Sequence, residues 1–169
     1  LFYYELREFL AYINLQLLRH LRGKTFEIYL PSHSKPIYGR IINIDLLNST
    51  IEDIYGRRIY VSNSLLLNSI LREHIPSIQL KITLNDIGDK VQDVLSNILS
   101  SFKEIDTGIF RIDDRKVSIE RVSSNQISFK LVINPTSTPI RVSDLLSFTN
   151  TLNNLLSKYK PVIEVIELV

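Results

Sequence analysis

Histidine is the side chain best suited to proton transfer or metal binding near neutral pH, and the chain has three: His20, His33 and His74. None has a second histidine or carboxylate at ligand spacing, so all three are read as surface or structural residues. The segment "RGKT", Arg22 to Thr25, resembles the end of a phosphate-binding loop. Such a loop needs a glycine five residues before its Gly-Lys pair, and Leu18 stands there. No serine lies in a Gly-x-Ser-x-Gly elbow. Asp113 and Asp114 are adjacent and would point to opposite sides of an extended segment, which makes a solvated turn rather than a carboxylate pair. "NST", Asn48 to Thr50, matches a glycosylation acceptor only as a short match inside a strand-like run. The absence of cysteine removes disulfides, thiolate metal sites and cysteine nucleophiles together, and fits a reducing compartment. No catalytic constellation results: the chain is not expected to be an enzyme, and no cofactor or metal is expected.

The whole composition points the same way. With 44% hydrophobic and 22% charged residues the 169-residue chain has the make-up of a globular protein of one domain or two small ones. Its net charge of +2 creates no strong field to gather nucleic acid or anionic lipid. The chain opens at Leu1 and contains no methionine, so it is expected to be a piece of a longer gene product. The apolar run "FLAYINLQLL", Phe9 to Leu18, has ten residues where spanning a bilayer takes about 20, and it lacks the marks of a signal peptide.

The elements that would position any site follow from periodicity. Leu6, Phe9, Leu10, Ile13, Leu17 and Leu21 recur at helical spacing, predicting an amphipathic helix over residues 1–22 that Gly23 ends. Leu15 and Leu18 widen its apolar stripe beyond what one small domain covers, which suggests a partner or a membrane-proximal position. "KTFEIYL", "PIYGRIINI", "NSTIEDI" and "RRIYV" read as strands of a small barrel or sandwich over 23–75, closed so that its edges are hidden. "SNSLLLNSILREHIPS" reads as a helical or irregular connector, with the domain junction near Ile75, before Pro76. In 76–169, "SIQLKIT" is a strand. Ile87, Val91, Val94, Leu95, Ile98, Leu99 and Phe102 mark a helix, and "DTGIFRIDD" is a loop. "KVSIERV" and "QISFKLVI" form a hairpin around "SSN", Ser143 caps a second helix, and "VIEVIEL" closes the chain as a strand. The order β-α-β-β-α-β is that of a ferredoxin-like domain, so the fold class is α+β.

Small β-domains and ferredoxin-like sheets both include RNA binders, which stack bases on aromatics of the two central strands. "KVSIERV" carries none and "QISFKLVI" only Phe129, although Arg40, Arg57, Arg58 and Lys35 make the first half mildly basic.

One stretch adds more than periodicity. In "GRIINIDLLNSTIEDIYGRRIYVSNS", Gly39, Thr50, Gly56 and Asn63 stand at successive intervals of eleven, six and seven, with Ile41, Ile44, Ile59 and Val61 between them. This pattern resembles the middle β-domain of the small-conductance mechanosensitive ion channel family (MscS-like), with Tyr55 where that family has a turn aspartate and Ser62 where it has a proline. The resemblance implies a Sm-like β-domain followed by an α+β domain over about residues 23–169. The physical reading of the matched positions is structural: Gly39 and Gly56 permit close packing and a tight turn, Thr50 suits a strand, and Asn63 can bond its own neighbouring backbone and so close the strand. The resemblance implies that this chain is the cytoplasmic, vestibule-forming region of a channel in the cell membrane that releases ions and small osmolytes under osmotic stress. It implies as partners a ring of copies of itself, seven by family, and a membrane reached through a region preceding Leu1; nucleic acid is not an expected partner. Two alternatives stand beside it: a soluble Sm-like and ferredoxin-like RNA-binding protein, and a non-channel oligomeric scaffold.

Overall fold

The computed structural model describes residues 2–88, 90–105 and 107–168. Leu1 and Val169, the ends of the expected segments 1–22 and 76–169, and Asp106 of the "DTGIFRIDD" loop lie outside the described residues. The chain forms two compact units, residues 1–75 and 76–169.

The first unit opens with α1 (Phe2–Leu17) and a short 3-10 turn (Arg19–Leu21). Five strands follow: β1 (Thr25–Tyr29), β2 (Ile37–Ile44), β3 (Asn48–Asp53), β4 (Arg58–Ser62) and β5 (Ile70–Glu73), with α2 (Asn63–Leu67) between the last two. They pair antiparallel in the order β4-β3-β2-β1-β5. Phe26 and Ile28 of β1, Ile41 and Ile44 of β2, Ile51 of β3 and Val61 of β4 form the core with Leu15 of α1 and Leu66 of α2.

Three expectations change here. The sheet does not close: β4 and β5 are its edges, and α1 covers the apolar face that strand closure would have hidden. The connector after Ser62 contains a strand, β5, which pairs with β1 through Phe26↔Glu73 to Tyr29↔Ile70. "ILRE" is short and half charged, so its pairing comes from the β1 edge rather than from its own pattern. The face of α1 that packs is also not the expected stripe. Glu8, Ala11 and Leu15 are buried, whereas Leu6, Phe9, Leu10, Ile13 and Leu17 are exposed, Leu10 at 52% and Leu17 at 77%.

The second unit runs β6 (Ile78–Leu84), α3 (Val91–Glu104), β7 (Phe110–Val122), β8 (Ile127–Pro135), α4 (Val142–Leu155) and β9 (Pro161–Leu168). Its sheet is antiparallel in the order β7-β8-β6-β9. β6 alternates strictly, burying Ile78, Leu80, Ile82 and Leu84 and turning Gln79, Lys81 and Thr83 to the other face. Val94, Ile98 and Phe102 of α3, four residues apart, and Phe148 and Leu152 of α4 pack on that buried face. β7 begins at Phe110, inside the expected loop, because Phe110 is buried against Phe148 with ring centroids 5.3 Å apart. α4 starts after Arg141 rather than Ser143, the backbone N–H groups of Asp144 and Leu145 both bonding the Arg141 carbonyl. Among the described residues no helix is long and apolar enough to cross a membrane.

Candidate functional site

Three of the four motif residues, Gly39, Gly56 and Asn63, sit beside the ends of β3, and Thr50 lies within it. Gly39 lies in β2 opposite Asp53, so close to β3 that a Cβ there would meet the Glu52 carbonyl oxygen at 2.5 Å and the Asp53 Cα at 3.0 Å. Only glycine permits that approach. Gly56 sits in the β3–β4 turn with φ of 83°, the left-handed region that disfavours a side chain. Asp53 organises this end: its Oδ1 accepts from the N–H groups of Tyr55 (3.0 Å) and Arg57 (2.8 Å), and its Oδ2 accepts from Arg57 Nε (2.6 Å). The turn thus takes its carboxylate from Asp53, two residues before Tyr55, as an Asx-turn.

The other end of β3 holds a buried polar junction. Asn63, the first residue of α2, is 0% exposed. Its Oδ1 accepts from Ser49 Oγ (2.8 Å) and its Nδ2 donates to the Asp45 carbonyl (2.7 Å), while its own N–H reaches the Leu47 carbonyl (3.3 Å). It therefore closes the β2–β3 turn from across the sheet rather than bonding its own neighbouring backbone. Thr50, buried in β3 opposite Tyr60, is the residue after Ser49.

The strongest element of this junction comes from α1. Glu8, 0% exposed, accepts from the Ser64 backbone N–H at 2.8 Å and from Ser64 Oγ at 2.5 Å, with Arg7 at 3.2 Å. No side chain of Ser62 caps α2, so Glu8 supplies the acceptor that its first turn lacks. Burial pushes the Glu8 carboxyl up, but the hydrogen bonds from Ser64 and Arg7 together outweigh it and hold its pKa below the ordinary value. A charged carboxylate thus latches the amino-terminal helix to the end of β4.

A second polar group lies on the outer side of β1. Glu27 Oε1 accepts from the hydroxyls of Tyr29 (2.5 Å) and Tyr38 (3.3 Å), and Arg72 stands 3.5 Å from Oε2. The Tyr29 hydrogen bond is the main cause holding the Glu27 carboxyl below its ordinary pKa, and it raises that of Tyr29. The three histidines do not converge. His74 packs on the Tyr38 ring at 4.9 Å, its Nε2 buried with no hydrogen-bond partner among the described residues, and His33 bonds the Pro31 carbonyl (3.2 Å). Among the described residues no cluster of three histidine or acidic side chains could hold a metal.

The RNA reading loses its aromatic. Phe129 is 1% exposed beneath the helices, packed on Phe102 at 6.3 Å. The open face of the second sheet thus offers no stacking ring among the described residues.

Sequence reasoning missed Glu8, Ser49, Asp53 and Ser64. Glu8 carried a signal, since it shares a helical face with Ala11 and Leu15 and so marks a charge on a packing surface. Asp53 carried one too, at the head of "DIYG".

No protein-family model matches the chain, and no curated protein matches it by sequence. Solved structures do. Helicobacter pylori MscS in its closed state superposes with a TM-score of 0.56 at 16% identity, over 96% of this chain. Arabidopsis thaliana MSL1 superposes with 0.51 at 17% identity as a variant, over 96%, and with 0.50 at 17% as wild type, over 97%. The fold is that of MscS-family channels. The chain spans 62%, 61% and 57% of the lengths of those three structures. The MscS-type fold thus takes in both units, and the motif glycines and Asn63 lie in the first of them.

Proposed function

We propose that this chain is the vestibule-forming cytoplasmic region of a mechanosensitive channel in the cell membrane, one that releases ions and small osmolytes when tension rises. The observation that carries the reading is the likeness to Helicobacter pylori MscS over 96% of the chain. In this reading residues 1–22 are a membrane-proximal or assembly helix, 23–75 a Sm-like domain and 76–169 a ferredoxin-like domain. The order β4-β3-β2-β1-β5 with a short helix before β5 supports the first domain name. The order β7-β8-β6-β9 with both helices on one face supports the second. The chain is then not an enzyme; its work is assembly, support and filtering.

Assembly has its own support. The exposed Leu6, Phe9, Leu10, Ile13 and Leu17 form a stripe on α1 that copies arranged in a closed ring would cover, seven of them by the family resemblance. The Glu8–Ser64 latch would let a displacement of α1 reach the end of β4 without first breaking the sheet.

Two measurements test the reading. Native mass spectrometry of the chain is expected to give a cyclic oligomer that Leu10→Glu with Ile13→Glu dissociates without lowering the urea midpoint of the separated protomer. Suction applied to patches bearing the complete gene product is expected to open a conductance. A silent patch, with the protein present in the membrane, would refute the channel and leave the scaffold.

A further inference from the structure

The face of the second sheet away from its helices holds a charge pattern that folding alone does not require. In register, Lys81 of β6 stands directly opposite Lys130 of β8. Like charges in that position repel. Glu120, from the irregular stretch of β7 between Ile119 and Arg121, lies between them. Its Oε1 takes Lys130 Nζ at 2.6 Å and its Oε2 stands 3.3 Å from Lys81 Nζ. The hydrogen bond from Lys130, then that from Lys81, keeps this carboxyl below its ordinary pKa, so it is charged at neutral pH.

One carboxylate between two ammonium groups leaves a positive charge over, and Lys81 has the longer, looser contact. Beside it a cavity of about 460 Å³ opens, lined by Lys81, Thr83, Glu120, Arg121, Gln126 and Ser128. Arg121, in register with Ser128, makes no ion pair among the described residues. Thr83 Oγ1 and Ser128 Oγ lie 3.3 Å apart, and each keeps hydrogen-bonding capacity beyond that contact. Gln126 is steadied by Asn85, its Nε2 donating at 2.8 Å. The neighbouring strand β9 carries two exposed acids, Glu164 in register with Lys81 and Glu167 in register with Gln79.

We propose that this cavity binds a small oxyanion, a carboxylate or phosphate compound, held by Arg121 and Lys81 with hydroxyl donors from Thr83 and Ser128. A planar guanidinium fork matches two oxygens of either group, and a cavity of this size suits a ligand of metabolite dimensions. The site belongs to the second unit alone and stands or falls independently of the channel reading.

The test is a titration of the full chain followed by amide chemical shifts, with sodium L-glutamate in one arm and inorganic phosphate in the other, ionic strength held constant with sodium chloride. Saturable shifts at Thr83, Arg121 and Ser128 are expected in at least one arm. Arg121→Gln and Lys81→Gln should each bind about tenfold more weakly, the loss of one charge-assisted hydrogen bond, and Arg111→Gln as tightly as wild type. Thr83→Val provides a further variant should either charge change unfold the protein. Saturation by glutamate alone assigns a carboxylate ligand, and by phosphate alone a phosphate compound. Non-saturating shifts in both arms, equal shifts with chloride, or unchanged binding by the variants overturns the proposal. So does saturation of these amides by single-stranded RNA when neither small anion binds.

Discussion

Replacing Glu8 with alanine should loosen the first unit locally and by a calculable amount. Glu8 is buried and takes two hydrogen bonds from Ser64, one from a backbone N–H at 2.8 Å and one from the hydroxyl at 2.5 Å. A hydrogen bond to a charged group contributes about 1.5–3 kcal/mol. Two at about 2 kcal/mol each, less about 1 kcal/mol recovered when a buried charge is removed, give a loss of about 3 kcal/mol. At 1.4 kcal/mol per tenfold, amide exchange in α2 should accelerate by about two decades. The measurement is native-state hydrogen exchange of the full chain, with residues 63–67 as the reporter and β8 as the internal reference. Glu8→Gln keeps the shape and loses the charge, so about half of the effect is expected. Glu5→Ala, on the same helix, should change nothing. Acceleration in α2 below tenfold would refute the capping role, and an equal acceleration in β8 would mean that the effect is not local.

Further outcomes follow from the same geometry. Gly39→Ala places a Cβ against backbone atoms of Glu52 and Asp53, so β2 and β3 must part; a loss of about 2–3 kcal/mol in urea unfolding is expected. Asn63→Ala strips Ser49 Oγ of its acceptor and the Asp45 carbonyl of its donor, and should cost about 2–3 kcal/mol by the same assay. Because the Glu8 pKa is lowered on folding, its contribution is present above the ordinary carboxylate value of 4.5 and disappears as pH falls through the lower folded value. Thermal melts from neutral pH downward should therefore show wild type losing more stability below 4.5 than Glu8→Gln does.

Much of the architecture was legible because burial and periodicity coincide. Ile78, Leu80, Ile82 and Leu84 alternate as a sheet strand must, and Val94, Ile98 and Phe102 repeat as a helix face must. β5 was illegible since "ILRE" has no alternation of its own and is held by the free edge of β1. The packing face of α1 misled for a different reason. The helix is apolar on more than one side, and pattern alone does not say that Glu8, Ala11 and Leu15 meet the chain's own sheet while Leu10 and Leu17 stay outside. At the candidate site, Gly39 and Gly56 were readable as positions where close packing and a tight turn exclude a side chain. The bonds that Ser64 donates to Glu8 and Asn63 to Asp45 join residues 56 and 18 positions apart, and no local rule reaches that far.

β3 is tied near both of its ends, by the Asp53 turn and by the Ser49–Asn63–Asp45 bonds, with Ser49 and Asp53 about 13 Å apart along the strand. A slip of one residue against either neighbour would undo both sets together and turn Ile51 out of the core. The strand therefore works as a ruler that accepts a single alignment. Substitutions at the exposed Asn48 should be far better tolerated than any change at Ser49 or Asp53, where the two sets of bonds are made.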